Sequence, residues 1–174
     1  MGGVVIYYSF ARYLPSSITP IFGPLFNSIR KLCCRLIFSS ISGKVRIERR
    51  AYWGLNNRIS MGESSGLGEN FHLQGADLEI GKYVMMAPNV TILGNGHNYT
   101  SLEKPMVKQG TTSKGKLVIE DDVWIGRNVT ILPGCNKIGH GVVIGACSVV
   151  TKNIPAYEVW AGNPAHCIKR RKCD

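Results

Sequence analysis

The chain has 174 residues, 44% of them apolar and 18% charged, and 21 Lys and Arg against 11 Asp and Glu give a net charge of +10. That length fits one domain with a small appendage, and the apolar share is enough for a core. The positive balance suits an acidic partner, an anionic membrane or a phosphate-bearing ligand; with no basic recognition helix, zinc finger or aromatic-basic sheet signature, nucleic acid is not expected.

The opening MGGVVIYYSF is apolar but short, lacks a basic leader, and has Ile6 where a myristoylation motif needs Ser or Thr. No run reaches transmembrane length. Residues 1–20 read as loop, broken by Pro15 and Pro20. From Ile21 to about Phe38, Phe22, Leu25, Phe26, Ile29, Cys33, Leu36 and Ile37 recur at helical spacing, with Arg30, Lys31 and Arg35 among them. Two readings of this amphipathic helix stand: it packs on the rest of the fold or another subunit, or it lies on a membrane surface.

From Ile41 the chain acquires a period of six. Ile41, Ile47, Trp53 and Ile59 are six apart; Leu67, Leu73, Ile80, Met86 and Ile92 follow, with small insertions before Leu67 and Ile80. Ile119, Ile125, Ile131, Ile138, Ile144 and Val150 continue it, with one extra residue before Ile138. Six is neither the helical 3.6 nor a sustained alternation of two. It describes a chain that turns a corner every six residues and points one aliphatic inward per side. The residues four places on (Val123, Val129, Cys135, Val142, Ser148 and Ile154) are small or branched and fill the narrow axis. Three sides need about 18 residues, so fifteen inward positions predict a parallel β-helix of about five coils.

The period breaks between Ile92 and Ile119, over a polar, Gly-punctuated stretch containing Pro105. A long excursion in a terse fold is more often functional than accidental. The predicted organisation is an N-terminal helical segment (1–40), a repeat domain (41–155) with an inserted loop (93–118), and a basic C-terminal tail (156–174). The six Cys show no disulfide framework; Cys135 and Cys147 are expected as buried thiols, and a reduced, cytoplasmic protein follows. Asn-x-Thr at Asn89, Asn98 and Asn128 then reads as turn chemistry.

The succession APNVTILGNGH, VIEDDVWIGRNVTILPG, IGHGVVIGACSVVTKNIP and AGNPAHCIKRR resembles the hexapeptide-repeat acyltransferases over roughly residues 59–170. It is most similar to galactoside and maltose O-acetyltransferases and to capsule and exopolysaccharide O-acetyltransferases. The resemblance implies an all-β, left-handed parallel β-helix that forms homotrimers with active sites between subunits. It also implies acetyl-CoA as co-substrate, no metal, and a sugar or glycan acceptor. His97, at the start of the inserted loop, takes the place of the family's catalytic base. A sugar hydroxyl attacks a thioester poorly until its proton is removed, and a neutral imidazole can remove it.

Asn70 matches a family residue that contacts the acceptor, and equally suits a turn. His72 would line the same pocket or be a half-buried structural His, and Asp77 is a further acceptor-side candidate. For coenzyme A the resemblance marks Trp124, Arg127, Ala146, Thr151 and Lys152, with Lys169 and Arg170 in a terminal basic cluster that also suits a solubilising tail. Three functional classes remain. O-acetylation of a cell-surface glycan or its precursor leads, with streptogramin- or chloramphenicol-type acetyltransferases as the variant. A zinc-dependent β-helix needs several His around one ion, and His72, His97, His140 and His166 lack ligand spacing. A non-catalytic scaffold gives no reason for a loop that begins with His. On its membrane reading, the amphipathic helix would hold the enzyme at the inner membrane face.

Overall fold

Two α-helices, two single-turn 3-10 helices and seventeen strands make up the computed structural model, which describes residues 2–172. The α-helices are α1 (Gly2–Ser9) and α2 (Gly23–Arg35). The strands begin β1 (Ser40–Ile41), β2 (Arg46–Ile47), β3 (Tyr52–Trp53), β4 (Ile59–Met61), β5 (Gly66–Leu67) and β6 (His72–Gln74). Then come β7 (Ala76–Ile80), β8 (Met85–Met86), β9 (Thr91–Leu93), β10 (Gly115–Ile119), β11 (Trp124–Ile125) and β12 (Thr130–Ile131). The last are β13 (Lys137–Ile138), β14 (Val143–Ile144), β15 (Val149–Val150), β16 (Glu158–Gly162) and β17 (Ala165–Arg170).

Every third strand lies in the same sheet, which gives a prism with three faces. The first stacks β1, β4, β7, β10 and β13, and the third stacks β3, β6, β9, β12 and β15. The second carries β8, β11, β14, β16 and β17, and is extended by the β2–β5 pair through the Gly66 amide, which donates to Val84 O at 3.0 Å. Pairing is parallel throughout except between β16 and β17. Because the strands are so short, each side chain's direction is decided by one residue, and the inward aliphatics stack in columns. On the third face Trp53, Leu73, Ile92, Ile131 and Val150 are in register and buried. The +4 residues Val123 to Ile154 are buried too.

The first face corrects one register. Ile41 pairs with Met61 and Met61 with Ile80, so Met61 occupies the column assigned to Ile59, and the insertion precedes Met61 rather than Leu67. Ile59 is also buried, paired with Leu78. Both residues face inward from one three-residue strand, which the period alone does not separate.

The corners have their own chemistry. Three residues before each third-face aliphatic, the backbone turns left-handed at Arg50, Asn70, Asn89, Asn128 and Cys147, with φ of 59°, 57°, 62°, 57° and 59°. Asn tolerates this region better than most residues. The Asn70 amide donates to the Asn89 side-chain oxygen at 2.8 Å, and Asn89 donates in turn to Asn128 at 2.9 Å. Asn89 and Asn128 are therefore turn residues, as their motif suggested. Cys147 belongs to this exposed corner column, not to the interior; Cys135 is buried as expected.

Residues 2–9 are helical where a loop was expected, and their aromatic side chains close the prism's lower end. Tyr7 is fully buried with its ring 4.5 Å from that of Trp53; Phe38 meets the same indole at 4.8 Å. Tyr7 donates to Ala51 O at 3.0 Å, and Tyr8 hydrogen-bonds both backbone groups of Trp53. The predicted amphipathic helix is α2, two residues shorter at its start and three at its end. Its inner side buries Cys33, Cys34 and Arg30. The Arg30 guanidinium donates from Nε to Ile47 O at 2.6 Å, and from Nη1 to Leu14 O and Pro15 O at 3.2 and 3.0 Å. At the other end, residues 158–170 form the β16–β17 hairpin on the second face, not a free tail. Among the described residues no helix is long and apolar enough to cross a membrane.

Arg30 thus joins helix, connector and first coil through carbonyls that have few other donors. Arg30→Leu is expected to lower stability by about 3 kcal/mol in urea unfolding, since buried carbonyls are left unpaired. An unchanged midpoint would show that water replaces the guanidinium at no cost.

Candidate active site

The inserted segment leaves the third face after β9 and returns at β10. Its neck is built of glycine against glycine. Gly94 N donates to Gln74 O at 2.8 Å, and Gly115 N to Gly75 O at 2.9 Å. A Cβ on Gly115 would stand 2.5 Å from Gly94 O, and one on Gly94 would stand 2.4 Å from Gly75 O, so no side chain fits at either position. Beyond the neck the two limbs run antiparallel: His97 bridges Thr111, Thr112 N donates to Gly96 O at 2.8 Å, and Asn98 N donates to Gly110 O at 3.0 Å. The Gln109 amide then gathers the tip, donating to Ser101 O at 2.9 Å and Lys104 O at 2.7 Å. His97 is exposed on an ordered hairpin, not on a loose loop. The tip turns apolar side chains to solvent, Leu102 fully and Val107 by 82%.

The acceptor-side candidates separate. Asn70 and His72 line one cleft beside the third face, with the His72 ring stacked on Tyr52 at 4.9 Å. The Asn70 amide is engaged in the corner ladder, which accounts for its presence without a ligand. Asp77 lies elsewhere, on β7. It accepts from the Arg58 amide at 2.7 Å and forms ion pairs with Arg58 and Lys114, tying the returning limb of the excursion to the neighbouring coil. Partial burial pushes its carboxyl up, but the hydrogen bonds from Lys114 and Arg58 outweigh that and hold it down to about 2.

The coenzyme-side candidates form a stripe along the second face and its corner. Trp124 points outward from β11, 51% exposed, between Met85 and Val143. Arg127 and Ala146 follow at the next corner, one coil apart, linked by the Cys147 amide donating to Arg127 O at 2.8 Å. The N–H groups of Arg127 and Ala146 have no acceptor among the described residues. Exposed Thr151 and Lys152 lie past β15, with the Lys152 ammonium 5.5 Å from the Trp160 ring centroid. Lys169 and Arg170 are exposed on β17 opposite Val159 and Glu158. Arg171 is committed to the fold, donating to Asp122 at 3.1 Å and Gly141 O at 2.7 Å. Free amides, an exposed indole and exposed cations fit the amides, adenine and phosphates of coenzyme A. Among the described residues, none of these hydrogen-bonds to His97. Among the described residues no three His, Cys, Asp or Glu converge as metal ligands.

No motif or period points to Arg12, Tyr13, Arg50 and Tyr52, which share the cleft with His72. Their meeting depends on the connector after α1 folding back over the first coil.

Residues 116–152 match the family model described as bacterial transferase hexapeptide, six repeats. A galactoside O-acetyltransferase of Escherichia coli K12 is 31% identical over 170 residues, covering 96% of this chain and 76% of the relative. The chain belongs to the hexapeptide-repeat transferase family. A probable macrolide acetyltransferase of Lysinibacillus sphaericus is 38% identical over 121 residues, 60% of this chain, and the match spans 66% of that relative's length. Among solved structures, a galactoside acetyltransferase in complex with coenzyme A superimposes with a TM-score of 0.71 at 28% identity, over 97% of this chain and 78% of the other. That hexapeptide-repeat architecture is the three-faced prism described above.

Asp77 gives a measurable pH signature. A carboxylate depressed on folding stabilises above its unfolded value near 3.8 and loses that contribution as pH falls towards 2. Asp77→Asn should therefore lower the urea midpoint at pH 7, and its deficit relative to the parent should shrink between pH 4 and 2. A deficit independent of pH would mean that packing, not charge, is lost.

Proposed function

We propose that this protein transfers the acetyl group of acetyl-CoA to a hydroxyl of a sugar or polysaccharide precursor. The observation that carries the reading is the exposed imidazole of His97, fixed on an antiparallel neck at the edge of a hexapeptide-repeat prism. In this reading His97 takes the hydroxyl proton as the oxygen attacks the thioester carbonyl. The N–H of Arg127 or Ala146 meets the charge that develops on the carbonyl oxygen. The new ester forms as the carbon–sulfur bond breaks, and the proton passes to the departing thiolate, so no acyl-enzyme is needed.

The apolar tip of the excursion, which a neighbour would cover, supports a homotrimer with sites between subunits. The prism is taken as left-handed and about five coils deep. The macrolide acetyltransferase relative supports a second acceptor class, a hydroxylated antibiotic, which an acceptor panel separates from glycans. His97→Ala is expected to leave the thermal transition in place and lower acetyl-CoA consumption by about 10²-fold or more. Near-normal turnover would remove His97 from the mechanism.

The enzyme is further proposed to work in the cytoplasm, against an anionic membrane face. The outer side of α2 exposes Leu25 and Leu32 by 54% and 62%, and Leu36, just past its end, is exposed by 72%. The first fifty residues hold eight Lys and Arg and a single acid, Glu48, whereas the rest of the chain is nearly balanced. A second copy would set like charge against like, and anionic lipid complements it. Leu25→Glu with Leu32→Glu should reduce co-sedimentation with phosphatidylglycerol vesicles at least fivefold; equal pelleting, or none by the parent, would end this part of the reading.

A further inference from the structure

Below the strand from which the excursion departs lies a cleft of about 440 Å³, lined by Arg12, Tyr13, Arg50, Tyr52, Asn70 and His72. Its walls are aromatic and cationic, and no carboxylate lines it. Tyr52 and His72 stack with their rings 25° apart, a flat surface at the outer side of β3 and β6. Arg12 sits among tyrosines, its guanidinium carbon 5.2 Å from the Tyr13 ring centroid and 5.8 Å from that of Tyr52. Its Nε is buried without a hydrogen-bond partner among the described residues. The backbones of the two arginines are tied together, Arg50 N donating to Arg12 O at 2.8 Å. The Arg50 side chain is exposed at the first position of the corner column that Asn70, Asn89 and Asn128 continue. Neither guanidinium forms an ion pair among the described residues, although six other Lys and Arg side chains pair with acids.

Two guanidinium groups on one cleft, unpaired with any acid, create a field that favours an anion. A guanidinium also presents the planar donor fork that carboxylate and phosphate fit. Aromatic rings beside them offer the apolar faces on which a sugar ring packs. The excursion that carries His97 departs from the face on which the cleft lies: His72 pairs with Thr91, Gln74 pairs with Leu93, and His97 follows Leu93 by four residues. Four residues of chain span at most about 14 Å.

We infer that this cleft binds an anionic saccharide, a sugar bearing a carboxylate or phosphate, and that this is the class of acceptor presented to His97. The assignment of the bound group as acceptor rests on the acetyl-transfer reading above; the binding itself does not.

The test is direct titration of the intact protein, without acetyl donor, in two pairs. Digalacturonate is compared with its uncharged dimethyl ester, and glucose 1-phosphate with glucose. At low salt the anionic member of at least one pair should bind about tenfold or more tighter, as expected for charge-assisted hydrogen bonds. That preference should fall as NaCl rises. Discrimination in the first pair alone identifies a carboxylate, and in the second alone a phosphate. Arg50→Gln should reduce the anionic-over-neutral ratio about tenfold, and Arg50→Lys should restore part of it; thermal unfolding of each variant establishes that it is folded. Equal binding within both pairs, no binding at all, or a ratio that Arg50→Gln leaves intact would overturn the inference. None of these readouts uses acetyl-CoA, so the binding result stands or falls separately from the effect of His97→Ala on turnover.

Discussion

Register between successive coils is the constraint from which the rest of the molecule follows. Most strands contribute two or three residues to their ladders, too few to hold a position by themselves. What fixes it is the column of branched aliphatics inside, each seated on its equivalent one coil away, with the +4 residues filling the axis. A slip of one residue would turn an aliphatic outward and a polar side chain inward in every strand above the slip. Because the columns hold, the outward residues also fall into columns. Trp124 is set between Met85 and Val143, and His72 between Tyr52 and Thr91. The candidate site is a by-product of that alignment.

A stack of coils has two ends, and both would expose unpaired edges and the apolar axis. The chain closes them by different means. Below, Tyr7, Phe38 and Trp53 form an aromatic plug, held by tyrosine hydroxyls on backbone groups of the first coil. Above, β16 extends the second face in parallel, and β17 turns back against it. The buried Arg30 belongs to the lower closure. Its charge is costly to bury, burial draws its pKa down, and three carbonyls compensate. The N-terminal segment is thus part of the prism's foundation on one side and an exposed apolar stripe on the other.

Much of this was legible because a hexad puts the decision about burial on one residue in six. Fourteen of the fifteen inward positions are buried, and Ile41 is half-buried at the lower rim. The failures have physical causes. Ile59 and Met61 both face inward, so the period did not show which one continues the column. Cys147 stands three residues after Ile144, at the corner; the interior position is the fourth, held by Ser148. α1 is apolar without periodicity, and its helix makes sense only against Trp53, a contact between residues more than forty apart in sequence. At the site, the run that ends in Gly96-His97 marks where the excursion departs, whereas Asn70 is offered by its match to a family position and Asp77 by its place before the next coil. Their side chains turn out to be engaged in a corner ladder and an ion-pair clasp. The arginines of the cleft left no trace in the period, since Arg12 arrives through a fold-back of the connector.

The glycine neck has a consequence for how such a fold can diversify. Gly75, Gly94 and Gly115 bring the departing and returning limbs together at neighbouring rungs, so the ladder passes from β7 to β10 as though nothing lay between β9 and β10. The number of residues beyond the neck does not enter the register of any coil. Lengthening, shortening or exchanging that hairpin therefore costs the prism little more than a change in loop-closure entropy, which grows only slowly with length. What that hairpin presents is in this sense a detachable variable, altered without renegotiating the core that holds it.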